Sequence, residues 1–287
     1  IVFGDWSSDV CSSDLKDQEK LKESVLYVNL EPCAHYGKTP PCADLIIQKQ
    51  IPKVVIANTD PNPKVASQGI KRMKEAGLEV VTGVLHEQGR WLNRRFFTFH
   101  EKKRPYIILK WAQTSDGFID IIRDKDSETG INWITDAICK TLVHKWRSEE
   151  MAILTGANTI RNDNPALNVR EWTGNSPLRC VISASGMLPP SSAIFDGKHK
   201  AILFTQSDNA AYKNTTTVTL KPGENNCKQV LDYLWQQNIL SLLIEGGSIA
   251  IQNYFEQNLW DEIRYFVGNK RFLDRKSTRL NSSHRIR

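Results

Sequence analysis

The chain has 287 residues, of which 40% are hydrophobic and 24% are charged, as in globular proteins with one large or two ordinary domains. It contains no apolar run of the roughly 18 to 20 residues that a membrane helix needs and no signal-peptide pattern at its start, so we expect a cytoplasmic protein without a membrane partner. The net charge of +6 includes +5 from residues 275–287 and −3 from residues 1–15, and the remaining +4 is typical of enzymes of small anions rather than of nucleic-acid binders.

The two ends differ in composition from the residues between them. Residues 1–15 and 275–287 are rich in serine and lack helical or strand periodicity. They resemble translated sequencing-adapter sequence joined to a gene fragment, and the alternative is a pair of natural disordered tails. We expect the first interpretation, because the body of the chain starts and stops in the middle of a fold.

The first half of the body alternates strand and helix patterns. Apolar, β-branched runs predict strands, and apolar residues at helical spacing predict helices between them. In chain order these are a strand over 24–30, a helix over 42–50, a strand over 53–60, a helix over 65–77 and a strand over 78–84. The β-α-β-α-β order predicts a sheet covered by helices.

A charged hinge at residues 100–105 separates this half from a second set of strands. Helices are predicted between several of these strands. The predicted strands cover residues 106–112, 152–156, 179–183, 201–205 and 241–247.

The stretch LEPCAHYGKTPPCADLII at residues 30–47 holds Cys33 and Cys42 on either side of His35. The six cysteines of the chain are too dispersed for a disulfide framework, which favours free thiols or metal ligands. Zinc deaminases take two thiolates from a Pro-Cys segment, and an upstream His-x-Glu segment supplies the third ligand and the proton shuttle. For an isolated pair, two buried thiols are the simpler interpretation.

Several long motifs, in the same order along the chain, resemble one family of bifunctional riboflavin-biosynthesis enzymes. In that family a diaminohydroxyphosphoribosylaminopyrimidine deaminase is joined to a 5-amino-6-(5-phosphoribosylamino)uracil reductase. The resemblance covers residues 16–274. It is carried by the cysteine loop at 27–47, DPNPKVASQGI at 60–70, LNRRFF at 92–97, PYIILKWAQTSDG at 105–117, NWIT at 132–135, the segment 144–170 and LIEGG at 243–247.

This resemblance implies an α/β fold in two parts. A cytidine-deaminase-like three-layer domain, N-terminally truncated, is expected over 16–101, and a dihydrofolate-reductase-like α/β domain, C-terminally truncated, over 104–274. Neither half has G-x-G-x-x-G after its first strand, which disfavours a standard Rossmann cofactor site. The resemblance also implies NADPH and zinc as cofactors, a phosphoribosylamino-pyrimidine substrate and, for the intact family member, a homodimer.

For the deaminase half, the resemblance implies that Cys33 and Cys42 bind zinc and that His35 contacts substrate. The family's His-Ala-Glu motif lies about 25 residues before the Pro-Cys pair, where it supplies the third ligand and the acid/base group. No histidine precedes His35 in this chain, so no catalytic residue for deamination is identifiable. We expect an incomplete zinc site that binds the metal weakly and does not deaminate.

For the reductase half, the resemblance implies two sets of contacts. Without it, Trp133 is typical of a core aromatic residue and the charges of segment 159–170 are typical of a solvated loop, in a segment too rich in Asn, Asp and Pro for regular structure. The implied cofactor contacts are Ala112, Trp133, Thr159, Gly247, Ser248 and Asn253. The implied substrate contacts are Ile131, Asp163, Leu167, Arg170 and Glu245.

Two other classes of function stay open from the residues alone. A nucleic-acid deaminase would need the missing His and Glu and a basic face within residues 16–104. A non-catalytic zinc-binding or assembly module would be favoured if the body of the chain bound no NADPH.

Overall fold

The computed structural model describes residues 18–36, 40–62, 65–121, 130–207, 211–272 and 277–279. The chain divides between Lys102 and Lys103 into two compact units. The predicted head, residues 1–15, and most of the predicted tail lie outside the described residues. In the described part of the chain, no helix has the length and apolar character that crossing a bilayer requires.

The first unit is built on a parallel three-stranded sheet in the order β1-β2-β3. Parallel neighbours need a crossover connection, and a helix provides it in each case. After a 3₁₀ helix at Gln18–Glu23, the elements are β1 Val25–Leu30, α1 Cys42–Gln48, β2 Lys53–Asn58, α2 Gln68–Glu75, β3 Glu79–Thr82, α3 His86–Leu92 and α4 Arg94–Lys102.

Alternate residues of β2 face the two sides of this sheet. Val54 and Ile56 join a buried cluster with Ile46 of α1 and Met73 of α2. On the other side, Ala57 lies against α3, where a Cβ at Gly89 would be 2.8 Å from the Ala57 Cβ. Helices therefore cover both faces, which gives the three layers that the family resemblance implied.

The second unit contains a parallel seven-stranded sheet in the order β11-β4-β10-β6-β7-β8-β9. Its elements are β4 Tyr106–Thr114, β5 Phe118–Ile121, α5 Ala137–Glu149, β6 Ala152–Gly156, α6 Ala157–Asp163, β7 Leu178–Ile182, a 3₁₀ helix at Ala193–Phe195, β8 Ala201–Thr205, β9 Thr215–Thr219, α7 Asn226–Gln236, β10 Ser241–Glu245, α8 Ser248–Glu256, β11 Glu262–Gly268 and β12 Ser277–Arg279.

Both faces of the seven-stranded sheet are buried. Along β4, Ile107 and Leu109 belong to one core cluster, which includes α7 and α8, while Ile108 belongs to a second cluster with Ile160 of α6. Burial on both faces explains why strands such as YIILKWA are nearly continuous apolar runs.

The position of β10 determines where a site can form. Although β10 comes late in the chain, it is inserted between β4 and β6, so that the strand order reverses there. In open parallel sheets, ligands bind at the carboxyl ends of the strands beside such a reversal. A site is therefore expected at the carboxyl end of β10.

Two expectations of local structure need correction. Segment 159–170 is not wholly irregular, because α6 continues to Asp163 and ends at Asn164, whose φ of 42° is left-handed. Asn164 and Pro165 follow the helix and terminate it, as such residues commonly do. In the tail, Ser277–Arg279 pair with β5 despite the lack of strand periodicity, since antiparallel pairing uses main-chain groups.

Candidate functional site

In the first unit, Glu31 anchors the loop that carries the cysteines. Its buried carboxylate accepts hydrogen bonds from four backbone amides, those of Asp60 at 3.1 Å, Ser67 at 3.0 Å, Gly69 at 3.0 Å and Ile70 at 3.2 Å. Three of these amides lie at the start of α2, where free N–H groups and the helix dipole favour an anion. Glu31 therefore ties the Pro-Cys segment to the first turn of α2.

Close packing supports the same loop. A Cβ at Gly69 would lie 1.9 Å from the carbonyl oxygen of Pro32, so only glycine allows this approach. The chain returns to Cys33 at the start of α1, where the Cys42 amide donates to Cys33 Sγ at 3.3 Å. Burial and the neighbouring Cys33 raise the pKa of Cys42 to about 11. The two cysteines are thus neighbours in space, and in the absence of a cation Cys42 keeps its proton at neutral pH.

No third metal ligand joins the thiol pair among the described residues. His35 is exposed, and the described part of the chain holds no group of three His, Cys, Asp or Glu side chains suited to a metal. The structure brings together the two predicted zinc ligands and leaves His35 outside the buried part of the loop.

In the second unit, a buried ion pair lies at the carboxyl end of β10. Arg147 of α5 donates from Nε to Oε1 of Glu245 at 3.0 Å and from Nη2 to Oε2 at 2.5 Å. Lys110 of β4 is the register partner of Glu245 in the adjacent strand. Two cationic side chains therefore surround one carboxylate at the reversal point of the sheet.

The charges of Arg147, Glu245 and Lys110, together with burial, shift the pKa values of Glu245 and Lys110. Burial acts to raise the pKa of Glu245, but Arg147 and Lys110 outweigh it and hold that pKa at about 2. Burial lowers the pKa of Lys110, and the charge of Glu245 opposes this shift only in part. At neutral pH Glu245 is ionised, while Lys110 gives up a proton more readily than an ordinary lysine.

The glycine turn after Glu245 adds a second feature. Gly246 and Gly247 have left-handed φ values of 75° and 70°, and α8 starts at Ser248. A Cβ at Gly247 would be 3.1 Å from Oγ1 of Thr159 in α6. The predicted cofactor residues Thr159, Gly247 and Ser248 are therefore brought together at the amino terminus of α8, a position that favours phosphate.

The remaining predicted cofactor residues lie on three other parts of the second unit: β4, the stretch before α5, and the outer part of α8. Ala112 is two residues beyond Lys110 and on the same face of β4. Trp133 is 48% exposed and not a core residue; the Lys140 ammonium lies 5.4 Å from its ring. Asn253 is exposed on α8 and lines a cavity of about 450 Å³ with the start of α7.

Apart from Glu245 and His35, the predicted substrate residues occupy two segments of the second unit. Asp163 ends α6, and Ile131, which is 46% exposed, lies in the irregular stretch before α5. Leu167 is 1% exposed as a whole residue, and its side chain packs in the second core cluster. Arg170 is exposed, and its guanidinium donates to Asn168 Oδ1 at 3.2 Å.

Sequence reasoning missed Arg147 and His144 as site residues. Both belong to the HKWR segment of α5, and their i, i+3 spacing places them on one helix face. The sequence signal that could have indicated them is the presence of two polar residues on the helix face that is otherwise buried. Their partners lie far away in the chain, which no local pattern reveals.

Two protein families match the chain. Residues 105–272 match the RibD C-terminal domain, and residues 10–58 match the cytidine and deoxycytidylate deaminase zinc-binding region. The riboflavin biosynthesis protein RibD of Aquifex aeolicus is 36% identical over 259 residues, which are 88% of this chain and 71% of that protein. RibD of Bacillus amyloliquefaciens is 34% identical over 255 residues, 85% of this chain and 67% of that protein.

Solved structures agree with these matches. A diaminohydroxyphosphoribosylaminopyrimidine deaminase/5-amino-6-(5-phosphoribosylamino)uracil reductase from Thermotoga maritima has a TM-score of 0.78 at 36% identity, covering 88% of this chain and 70% of its own. Acinetobacter baumannii RibD has a TM-score of 0.80 at 30% identity, covering 91% and 73%. The predicted resemblance and both predicted folds are confirmed: the chain belongs to the RibD family of bifunctional riboflavin biosynthesis proteins, with a cytidine-deaminase-like and a dihydrofolate-reductase-like domain.

Proposed function

We propose that the second unit reduces 5-amino-6-(5-phosphoribosylamino)uracil to its ribitylamino form with NADPH, as a step of riboflavin biosynthesis. The observation that carries this proposal is the position of Glu245. It lies beside Lys110, is paired with Arg147 and directly precedes the left-handed glycine turn. Groups suited to charge stabilisation and to phosphate binding therefore occupy successive residues at one strand end.

The residues at the glycine turn fit a dinucleotide cofactor. The absence of a Cβ at Gly247 keeps the space beside Thr159 Oγ1 open, and the first amides of α8 favour phosphate oxygens. Thr159 and Ser248 would hold the phosphates, and the exposed face of Trp133 would contact the nicotinamide nucleotide. When bound, NADPH supplies the hydride.

The chemistry of the substrate suggests a role for each of Glu245, Arg147 and Lys110. Opening the ribosylamine breaks the bond between C1 and the ring oxygen, which takes up a proton, and leaves a C1–nitrogen iminium that accepts the hydride at C1. Lys110, whose pKa is lowered by burial, is the group that we propose gives this proton. Glu245, ionised beside it, stabilises the cationic iminium, and Arg147 holds the carboxylate in position.

The phosphate end of the substrate fits Arg170. Its side chain is exposed at the end of the loop 164–170, and its Nε lies 3.7 Å from Glu171 Oε1. An exposed guanidinium is suited to bidentate contact with a phosphate. We assign Arg170 to this group.

For the first unit we propose a weak, two-thiolate zinc site without deaminase activity. Cys33 and Cys42 suit zinc, but a catalytic zinc takes three protein ligands and an acid/base group. This donor set is one ligand short among the described residues, and no deamination step follows from it. Metal analysis and ammonia release on the pyrimidine substrate test this, and stoichiometric zinc with deamination would overturn it.

The reductase proposal is tested by following NADPH absorbance with the purified chain and the ribosylamino-uracil. We expect turnover, and a decrease in kcat/KM of at least about 100-fold in Glu245→Gln, because the iminium loses a preorganised charge. Glu75→Gln, an exposed change in the first unit, is the control and keeps the wild-type rate. Equal rates for Glu245→Gln and the control would contradict the site assignment.

A further inference from the structure

His144 is a buried side chain at the reductase site to which the proposed chemistry gives no role. It lies one helical turn before Arg147 in α5 and is 1% exposed. Its Nδ1 accepts a hydrogen bond from the backbone amide of Arg170 at 3.3 Å. Since an acceptor nitrogen carries no proton, the neutral ring holds its proton on Nε2, which faces Glu171 Oε1 at 4.0 Å.

The charges around the ring favour this neutral form. Burial lowers the pKa of His144 most, and Arg147 of the same helix and Arg170 of the loop lower it further. Glu171 and Glu245 act in the opposite direction, and Glu171 is itself paired with Lys140 at 2.7 Å. The ring is therefore kept as a hydrogen-bond acceptor at neutral pH.

Three buried side chains hold the loop 164–170 from inside. Arg147 donates from Nη1 to the Asn168 carbonyl at 3.2 Å, and Arg179 donates from Nη1 to the Ala166 carbonyl at 3.3 Å. His144 alone of these three contacts the backbone of Arg170. It is also the only one of the three that titrates in mild acid.

We infer that His144 is a positioning residue of the reductase site, which holds the Arg170 backbone so that the Arg170 guanidinium meets the anionic end of the substrate. This inference rests on the proposed function. His144 contacts neither reacting atom, and it acts only through Arg170. The same contact links the loop to the helix that carries Arg147, so substrate binding and the ion pair share one support.

The contact makes substrate binding depend on pH. If His144 Nδ1 were protonated, its N–H would point at the backbone N–H of Arg170. Two donors cannot bond to each other, so the hydrogen bond would be lost. Because the pKa of His144 in the folded protein lies below the ordinary value of 6.5, the contact is fully present above 6.5. It is lost as the pH falls through the lower, folded pKa. We therefore expect KM for the ribosylamino substrate to rise in mild acid, with KM for NADPH constant.

Two variants separate the effect of the His144 hydrogen-bond acceptor from the effect of its side-chain volume. His144→Leu keeps the bulk and removes the acceptor, whereas His144→Asn places an amide oxygen near the Nδ1 position and does not titrate. In His144→Leu we expect amide hydrogen exchange within residues 164–171 and KM for the ribosylamino substrate each to rise roughly three- to tenfold, the worth of one neutral hydrogen bond. His144→Asn should restore both values near neutral pH and, in acid, leave only the smaller rise of KM that protonation of the substrate phosphate itself causes. His86→Leu, an exposed change in the first unit, is the control.

The outcomes distinguish this inference from the reductase proposal. Unchanged loop exchange in His144→Leu, faster exchange throughout the second unit, or a wild-type pH profile in His144→Asn would each overturn the positioning role. A wild-type chain that folds but does not oxidise NADPH would overturn the proposed function. In that case, hydrogen exchange, which needs no turnover, still decides whether His144 holds the loop.

Discussion

Arg147 and Glu245 form a two-pronged hydrogen-bonded ion pair, at 3.0 and 2.5 Å, with both side chains buried at the carboxyl end of β10. Charged groups in such a position are costly to leave without a partner. Since the same carboxylate is assigned to stabilise the substrate iminium, the pair links the stability of the second unit to its proposed chemistry. The contribution of the two residues to stability can be measured independently of catalysis.

Arg147→Met should lower the free energy of unfolding of the second unit by about 3–5 kcal/mol, because it leaves the buried Glu245 carboxylate uncompensated. The double variant Arg147→Met with Glu245→Leu should recover part of this loss. Urea unfolding measures both. The control is Arg90→Met, which breaks an equally forked but exposed pair with Glu101 and should cost no more than about 1 kcal/mol. Similar losses for Arg90→Met and Arg147→Met would contradict the role of burial.

Gly247→Ala should weaken NADPH binding by about tenfold or more, since the added Cβ enters the space beside Thr159 and disturbs the start of α8. Any residue with a Cβ also pays a backbone cost of about 1 kcal/mol at a left-handed φ. Gly83→Ala is a matched control in the first unit, because Gly83 has a φ of 85° and its added Cβ would meet no other atom within 4 Å. Fluorescence titration with NADPH measures the affinity of both variants. Equal affinities would contradict the assignment of the glycine turn to phosphate binding.

Gly69→Ala should destabilise the first unit by at least about 1–3 kcal/mol, because its Cβ would lie 1.9 Å from the Pro32 carbonyl oxygen. The backbone must then move where the loop to Cys33 is tied to α2. Thermal unfolding measures the loss. Gln68→Ala, at the exposed preceding position of the same helix, should leave the midpoint within experimental scatter. A midpoint for Gly69→Ala equal to that of Gln68→Ala would refute the close approach.

Cys42 should react slowly with iodoacetamide at neutral pH. Its pKa of about 11 means that the reactive thiolate, and hence the alkylation rate, increases roughly tenfold per pH unit up to that value. Cys33→Ser removes the neighbouring thiol that raises this pKa, so alkylation of Cys42 should be faster in that variant at pH values below 11. Peptide mass spectrometry gives both rates, and a plateau near neutral pH would be inconsistent with the thiol pair.

The sequence by itself determined the family, both fold classes and most central strands. Parallel strands buried on both faces need nearly continuous apolar residues, so runs such as YIILKWA at the start of β4 are visible without a structure. Two outer strands, β9 and β11, were not predicted. The β9 sequence TTTVT is polar, and β11 is the partly exposed strand at the opposite edge of the sheet. Strands without two buried faces leave a weaker apolar signal.

The residues of the candidate reductase site could be predicted from the sequence less completely than the fold. The family motifs predicted Glu245, Thr159 and Gly247, and the fold brings them together at one strand end. Motifs could not reveal that Arg147 pairs with Glu245, because 98 residues separate them and only the insertion of β10 between β4 and β6 makes them neighbours. Local sequence patterns encode which face of a helix or strand is buried. The order of the strands in the sheet decides which charged residues, distant in the chain, are buried next to each other.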